Sequence, residues 1–112
     1  MSNSVNYSML LQEESDPIKV DFIGLKKSAM ILRALNHKLR QQMVKLIDEE
    51  KKLTVTEIYV KLRLEQSVAS QHLAILRRAG IVKTSREGKY IYYFINPPRI
   101  RQIVQCVDTL TQ

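Results

Sequence analysis

Within residues 54–95, TVTEIYVKLRLEQSVASQHLAILRRAGIVKTSREGKYIYYFI, two short helical patterns are followed by a basic hairpin pattern, and this order constrains the fold more than anything else in the chain. The first helix opens with a capping box. Thr54 can accept from the amide of Glu57 while the Glu57 carboxylate reaches back, and Ile58, Val60 and Leu62 supply apolar surface. Lys61 and Arg63 interrupt that pattern, so a turn is expected over 62–65. The second helix is expected over 66–79, with Ala69, His72, Leu73 and Leu76 at i, i+3, i+4 and i+7 as one buried stripe. Gly80 closes it, because a residue without a Cβ adopts the left-handed C-terminal cap at little cost.

The opposite face of the second helix carries Gln66, Ser67, Ser70, Gln71, Ala74 and Arg77. These side chains are small, polar or cationic and include no carboxylate, as a helix needs if it is to lie beside phosphates and hydrogen-bond base edges in a major groove. Two β-rich runs, 81–85 and 90–95, flank the turn Arg86-Glu87-Gly88-Lys89, a hairpin signal. Lys83, Arg86 and Lys89 would suit that hairpin to straddling a phosphate backbone. Tyr90, Tyr92, Tyr93 and Phe94 read as packing of a short sheet, since strands favour aromatic residues; stacking on bases is the alternative and requires single strands. Helix, turn, helix and hairpin together predict a winged helix-turn-helix: a mainly α fold with a small β wing (α+β), about five helices and a two- or three-stranded sheet.

The chain resembles the ArsR/SmtB family of small dimeric winged-helix repressors. The resemblance rests on Ala34-Leu35-Asn36 through Leu39-Arg40, Val55-Thr56-Glu57-Ile58, Gln66-Ser67, Ser70-Gln71-His72-Leu73, Leu76-Arg77-Arg78-Ala79-Gly80-Ile81-Val82 and Arg86-Glu87-Gly88-Lys89-Tyr90-Ile91-Tyr92-Tyr93. Three places depart from the family pattern: His37-Lys38 stands where Pro-Thr is usual, Glu65 where a serine caps the recognition helix, and Val68 where a smaller or polar residue is found. Glu65 suits the dipole at a helix N-terminus but would repel a nearby phosphate. The resemblance implies double-stranded DNA as partner, contacted by Thr56, Gln66, Ser67, Ser70, Gln71, Arg77, Arg86 and Lys89.

A chain of 112 residues has room for one core, here expected over 16–112 after a flexible tail, residues 1–15. Its charge of +7 would be weak evidence by itself, but the excess is concentrated. Between Lys61 and Lys89, seven basic residues (Lys61, Arg63, Arg77, Arg78, Lys83, Arg86 and Lys89) stand against two acidic ones, Glu65 and Glu87, so the excess sits on the helix-turn-helix and hairpin, the footprint of a DNA face. No run of apolar residues is long enough for a membrane span, no cleavable signal pattern is visible, and the single Cys106 fits a reducing compartment, so a cytoplasmic protein is expected.

Three further helices are expected. Ser15-Asp16 and Pro17 suggest a cap and first-turn proline for a helix whose apolar residues, among them Ile18, Phe22, Ile23, Leu25, Ala29, Met30 and Leu32, run toward Leu35. Asn36 can cap the next, with Leu39, Met43, Leu46 and Ile47 as its stripe. Asn96 is placed to cap the last, opened by Pro97-Pro98. The terminal helices carry more apolar surface than a small core needs, which suggests a partner. The resemblance implies a homodimer through them, with Phe22, Leu25, Ile100, Ile103, Val104, Val107 and Leu110 at the interface and two recognition helices about 34 Å apart on an inverted repeat.

Metal sensing is common in the family, and its usual ligands are missing here. Thiolate sensors carry a Cys-x-Cys-type motif in the helix before the recognition helix, where this chain has Val55-Thr56-Glu57-Ile58-Tyr59; zinc sensors pair Asp, His and Glu on the C-terminal helix, which here offers Cys106 and Asp108 without a histidine. His72 is expected to be a hydrogen-bonded packing residue, His37 to be exposed, and Cys106 to be a small core residue. No metal or cofactor is therefore expected. Nor is there a phosphate loop, nucleophile elbow or carboxylate pair that would suggest catalysis. The expectation is a sequence-specific, non-enzymatic DNA-binding repressor; the competing class is a winged-helix protein-interaction module, favoured by Glu65 and Val68.

Overall fold

The computed structural model describes residues 8–12 and 16–112. Its elements in order are β1 (Ser8–Leu11), β2 (Ile18–Asp21), α1 (Phe22–Leu35), α2 (Lys38–Glu50), β3 (Leu53–Thr54), α3 (Val55–Leu62), α4 (Gln66–Arg78), β4 (Val82–Glu87), β5 (Tyr90–Ile95) and α5 (Pro97–Thr111). They divide into two compact units, one up to Met30 and one over Ile31–Gln112. The fold is the expected winged helix-turn-helix, with five helices among the described residues, and the wing belongs to a three-stranded antiparallel sheet ordered β3-β5-β4.

The first unit departs from expectation. Ser8–Leu11 is a strand, antiparallel to Ile18–Asp21, where residues 1–15 were expected to be a tail; residues 1–7 and 13–15 lie outside the described residues. The helix expected to begin at Pro17 begins at Phe22. The reason is local. Ile18-Lys19-Val20-Asp21 alternates β-branched apolar with polar side chains, which is a strand period, and the run pairs with Ser8–Leu11. Asp21 then performs the capping role assigned to Ser15-Asp16: its carboxylate accepts from the Ile23 amide at 3.1 Å.

In the second unit the core is formed by Met43 and Ile47 of α2, Leu53 of β3, Ile58 of α3, Ala69, Leu73 and Leu76 of α4, Ile81 and Val82 after it, and Ile103 of α5. Leu39 and Leu46 are partly buried beside this core, and Val60, expected to contribute apolar packing, is 61% exposed. Three termini set the positions of the recognition elements. The capping box at α3 is complete: Thr54 Oγ1 accepts from Glu57 N at 3.2 Å and Glu57 Oε1 accepts from Thr54 N at 2.9 Å. Arg63, at φ 57°, ends α3 in the left-handed region and starts the tight turn into α4. At the far end of α4, Gly80 N donates to Arg77 O at 2.9 Å and Ile81 N to Leu76 O at 3.0 Å, a Schellman cap that sends the chain straight into β4.

Two other caps differ from the sequence reading. His37, not Asn36, caps α2, its Nδ1 accepting from Leu39 N at 3.2 Å. Asn96 stands at the N-cap of α5 without capping it through its side chain, because Nδ2 donates to Gly80 O at 2.8 Å. That bond ties the start of α5 to the end of α4, a pairing across the fold that competes successfully with the local cap.

Candidate nucleic-acid interface

Ala69, Leu73 and Leu76 anchor α4 in the core at 0% exposure, which turns the opposite face outward. Gln66, Ser67, Ser70, Gln71, Ala74 and Arg77 are all exposed on it. Thr56, in the first turn of α3, is exposed as well. Val68 is partly buried, at the margin of that face rather than in its middle. Glu65 occupies the N-cap of α4 and makes no side-chain cap bond, so its carboxylate is left to solvent. The first-turn amides of α4 thus lack the side-chain acceptor that a serine cap would supply.

The wing is a two-residue turn between β4 and β5, with Glu87 opposite Tyr90 and Gly88 in the first turn position at φ 64°, as a type II′ turn requires. Lys83, Arg86 and Lys89 are exposed on this hairpin. Two of its cations are steadied at the tip: Arg86 Nε donates to Gly88 O at 3.2 Å, and the Lys89 ammonium lies 5.4 Å from the Tyr90 ring centroid. Glu87 is paired with Lys52 at 2.6 Å, and that carboxylate holds the Lys52 ammonium above the usual lysine range. Lys52 also lies 4.7 Å from the Tyr92 ring centroid. Of the two carboxylates on this face, Glu87 is therefore neutralised locally. Tyr93 packs against the core and Tyr92 and Phe94 are partly buried, as a packing role requires, whereas Tyr90 remains 51% exposed.

The residues expected at a subunit interface divide into different environments. Ile103 is 6% exposed and belongs to the core of its own subunit, and Ile100 packs beside it. Val104, Val107 and Leu110 are 51%, 42% and 74% exposed along the outer side of α5. In the first unit, Leu25 is exposed and Phe22 partly buried.

A polar cluster behind α4 escaped the sequence reading. Arg40 is 8% exposed, and its guanidinium donates to Ala34 O at 2.5 Å, Arg33 O at 3.1 Å and His72 Nδ1 at 3.1 Å. The His37 and His72 rings, from the cap of α2 and from α4, are 4.8 Å between centroids. Burial, and then the nearby His37 and Arg40, push His72 below the ordinary histidine range. The available signal was the position of Arg40 on the buried stripe of α2, three residues before Met43 and seven before Ile47. Among the described residues no group of three or more His, Cys, Asp or Glu side chains comes together, and Cys106 is partly buried with a free thiol. No helix among them is long and apolar enough to cross a membrane.

The pattern described as "Bacterial regulatory protein, arsR family" matches residues 37–84, from the cap of α2 into β4. The transcriptional repressor PagR of Bacillus anthracis is 34% identical over 82% of this chain and 92% of its own length. Its crystal structure superposes with a TM-score of 0.63, covering 78% of this chain and 99% of that one. The transcriptional activator HlyU of Vibrio cholerae is 34% identical over 75% of this chain and 77% of its own length. The crystal structure of a possible transcriptional regulator for arsenical resistance, 26% identical, has a TM-score of 0.65 over 71% of this chain and 82% of that one.

Proposed function

Because the chain belongs to the arsR family of bacterial regulatory proteins, and is thus a DNA-binding transcriptional regulator, we propose that it acts as a homodimeric, cytoplasmic repressor rather than as an enzyme. The observation that carries this reading is the outward face of α4: polar and small side chains with no carboxylate, flanked by the cations of the wing. On duplex DNA, Gln66, Ser67, Ser70 and Gln71 face base edges, Thr56 and Arg77 flank them, and Arg86 and Lys89 reach phosphate. Gln offers the donor and acceptor that match adenine N6 and N7, so the half-site includes A·T pairs.

In this proposal a second subunit covers Val104, Val107 and Leu110, and two α4 helices enter successive major grooves of an inverted repeat. Bound within a promoter, such a dimer excludes polymerase. Metal ions do not release it, since His72 is engaged by Arg40 and three or four ligands are needed for a tetrahedral site. The deciding experiment is fluorescence anisotropy on random and promoter-derived duplexes over a range of salt. Binding whose logarithm falls linearly with log salt, tighter on the promoter, is expected. A domain that binds only other proteins would show neither. Adding chelator-buffered Zn²⁺, Cd²⁺ or As(III) to the complex checks the metal reading, and stoichiometric release at or below micromolar ion would overturn it.

A further inference from the structure

The C-terminal turn of α1 leaves carbonyls without helical partners, and the negative end of the helix dipole gathers there. Arg40 meets both needs: Nε and one terminal nitrogen donate to Ala34 O and Arg33 O. Its other terminal nitrogen faces Nδ1 of His72, in the middle of α4, at 3.1 Å. A guanidinium can only donate. The contact therefore requires a bare Nδ1 on His72, with the ring neutral and its proton on Nε2.

Protonation would put a second donor and a second cation at that point. The charged groups acting on His72 are His37 and Arg40, both from α2 and its cap. The end of α1 presents carbonyl groups there. On α4 the residues three and four away are Ala69, Val68, Ile75 and Leu76, none ionisable, and neither α3 nor β4 supplies a charge that acts on the ring. No carboxylate among these groups would stabilise an imidazolium.

We propose that Arg40 and His72 are positioning residues for DNA recognition: neutral His72 accepts the Arg40 hydrogen bond and fixes α4 against the α1–α2 corner, and protonation of His72 releases α4 and weakens DNA binding. The inference rests on the DNA-binding reading of α4. It has an unusual sign. Acid ordinarily adds positive charge to a protein and strengthens its attraction to phosphates. Here acid removes the alignment of the reading helix, and affinity for the specific site falls.

Thermodynamic linkage gives the same direction for the fold. A histidine held below its usual range contributes stability that is complete above the unfolded-state pKa and is lost as pH falls through the folded-state value.

The test uses the full chain at constant ionic strength. Affinity for a specific duplex is measured from about pH 8 to about pH 5.5, the range of histidine titration, for the natural protein, H72N and H37N. The asparagine introduced by H72N keeps an acceptor near the place of Nδ1 and cannot be protonated; the one introduced by H37N keeps a helix cap. The natural protein and H37N should lose about tenfold in affinity on acidification, the scale of one hydrogen bond to a charged group. H72N should lose none. Parallel profiles for the natural protein and H72N would overturn the proposal.

Ring-nitrogen NMR of the unmodified protein needs no variant and no DNA: it should show the Nε2–H tautomer of His72 at neutral pH, titrating below the ordinary histidine range. An Nδ1–H tautomer would equally overturn the brace. Absence of duplex binding at any pH would instead overturn the functional reading, and the ring titration would then decide the brace by itself.

Discussion

Helices α4 and α5, of 13 and 15 residues, each set part of one face into the same core, yet their other faces are opposite in character. The outer face of α4 is Gln, Ser, Ala and Arg; that of α5 includes Val104, Val107 and Leu110. Water solvates the first without loss, and the first can also exchange water for base edges and phosphates. The second is costly to leave in water, at about 25 cal/mol for each square ångström of apolar surface. The same amphipathic device thus serves two ends. One helix is anchored so that its polar face is free to read, the other is anchored weakly and keeps an apolar face to be covered.

The anchoring side of the comparison has the largest expected effect. Leu73 is fully buried, and L73A should destabilise the domain by about 2–5 kcal/mol in thermal or urea unfolding. L110A, at a residue 74% exposed, should leave the isolated subunit's stability nearly unchanged. Similar losses for both would erase the distinction between the two helices.

The second effect concerns the covered face. V107E places a carboxylate where an apolar partner is proposed, and dimerisation should weaken by about a hundredfold, as an unpaired charge in an apolar contact costs several kcal/mol. Sedimentation velocity should show monomers that remain folded. A dimer of unchanged affinity would exclude this side of α5 from the interface.

Elements fixed by near neighbours in sequence were legible before the structure: the Thr54–Glu57 capping box, the turn ending α3 near Arg63, the Gly80 cap and the Gly88 hairpin turn. Each is a contact between residues a few positions apart, so composition and spacing specify it. What escaped depends on distant partners. The two-residue strand Leu53–Thr54 is too short to show a period and exists because Tyr92 and Tyr93 pair with it. Asn96 looked like a cap, but its side chain is drawn to Gly80. Arg40 and His72 are 32 residues apart, and neither side chain advertises the other. At the start of the chain the cap signal of Ser15-Asp16-Pro17 was real as a pattern, yet the alternating residues after it formed a strand, and Asp21 provided the cap a few residues later.

A third, smaller effect separates reading from holding on the polar face. Gln71 is exposed in the middle of α4, and Q71A should lose about 1–3 kcal/mol on the specific duplex with little change on a scrambled one. Lys89, at the wing, should behave differently: K89A should weaken both duplexes and lower the salt slope by about one. Equal losses on both duplexes for Q71A would move Gln71 from base reading to backbone contact.

The smallest effect lies in the Lys52–Glu87 pair beneath the wing. Both side chains are about half exposed, so solvent and salt screen the pair, and the thermal midpoint should not move when it is broken. Its influence on DNA binding is separate from stability. Glu87 is one of two carboxylates on the proposed DNA face, and while Lys52 pairs with it neither charge is free for phosphate. E87Q keeps the shape of the side chain, removes the negative charge and releases the ammonium, so binding to any duplex should tighten modestly and the salt slope should steepen by up to about one. The converse variant, K52M, leaves Glu87 unpaired and should weaken binding to specific and random duplexes alike, without changing their ratio. If both variants left the salt slope unaltered, the wing would lie away from the phosphate backbone, and only α4 would remain as the contact surface.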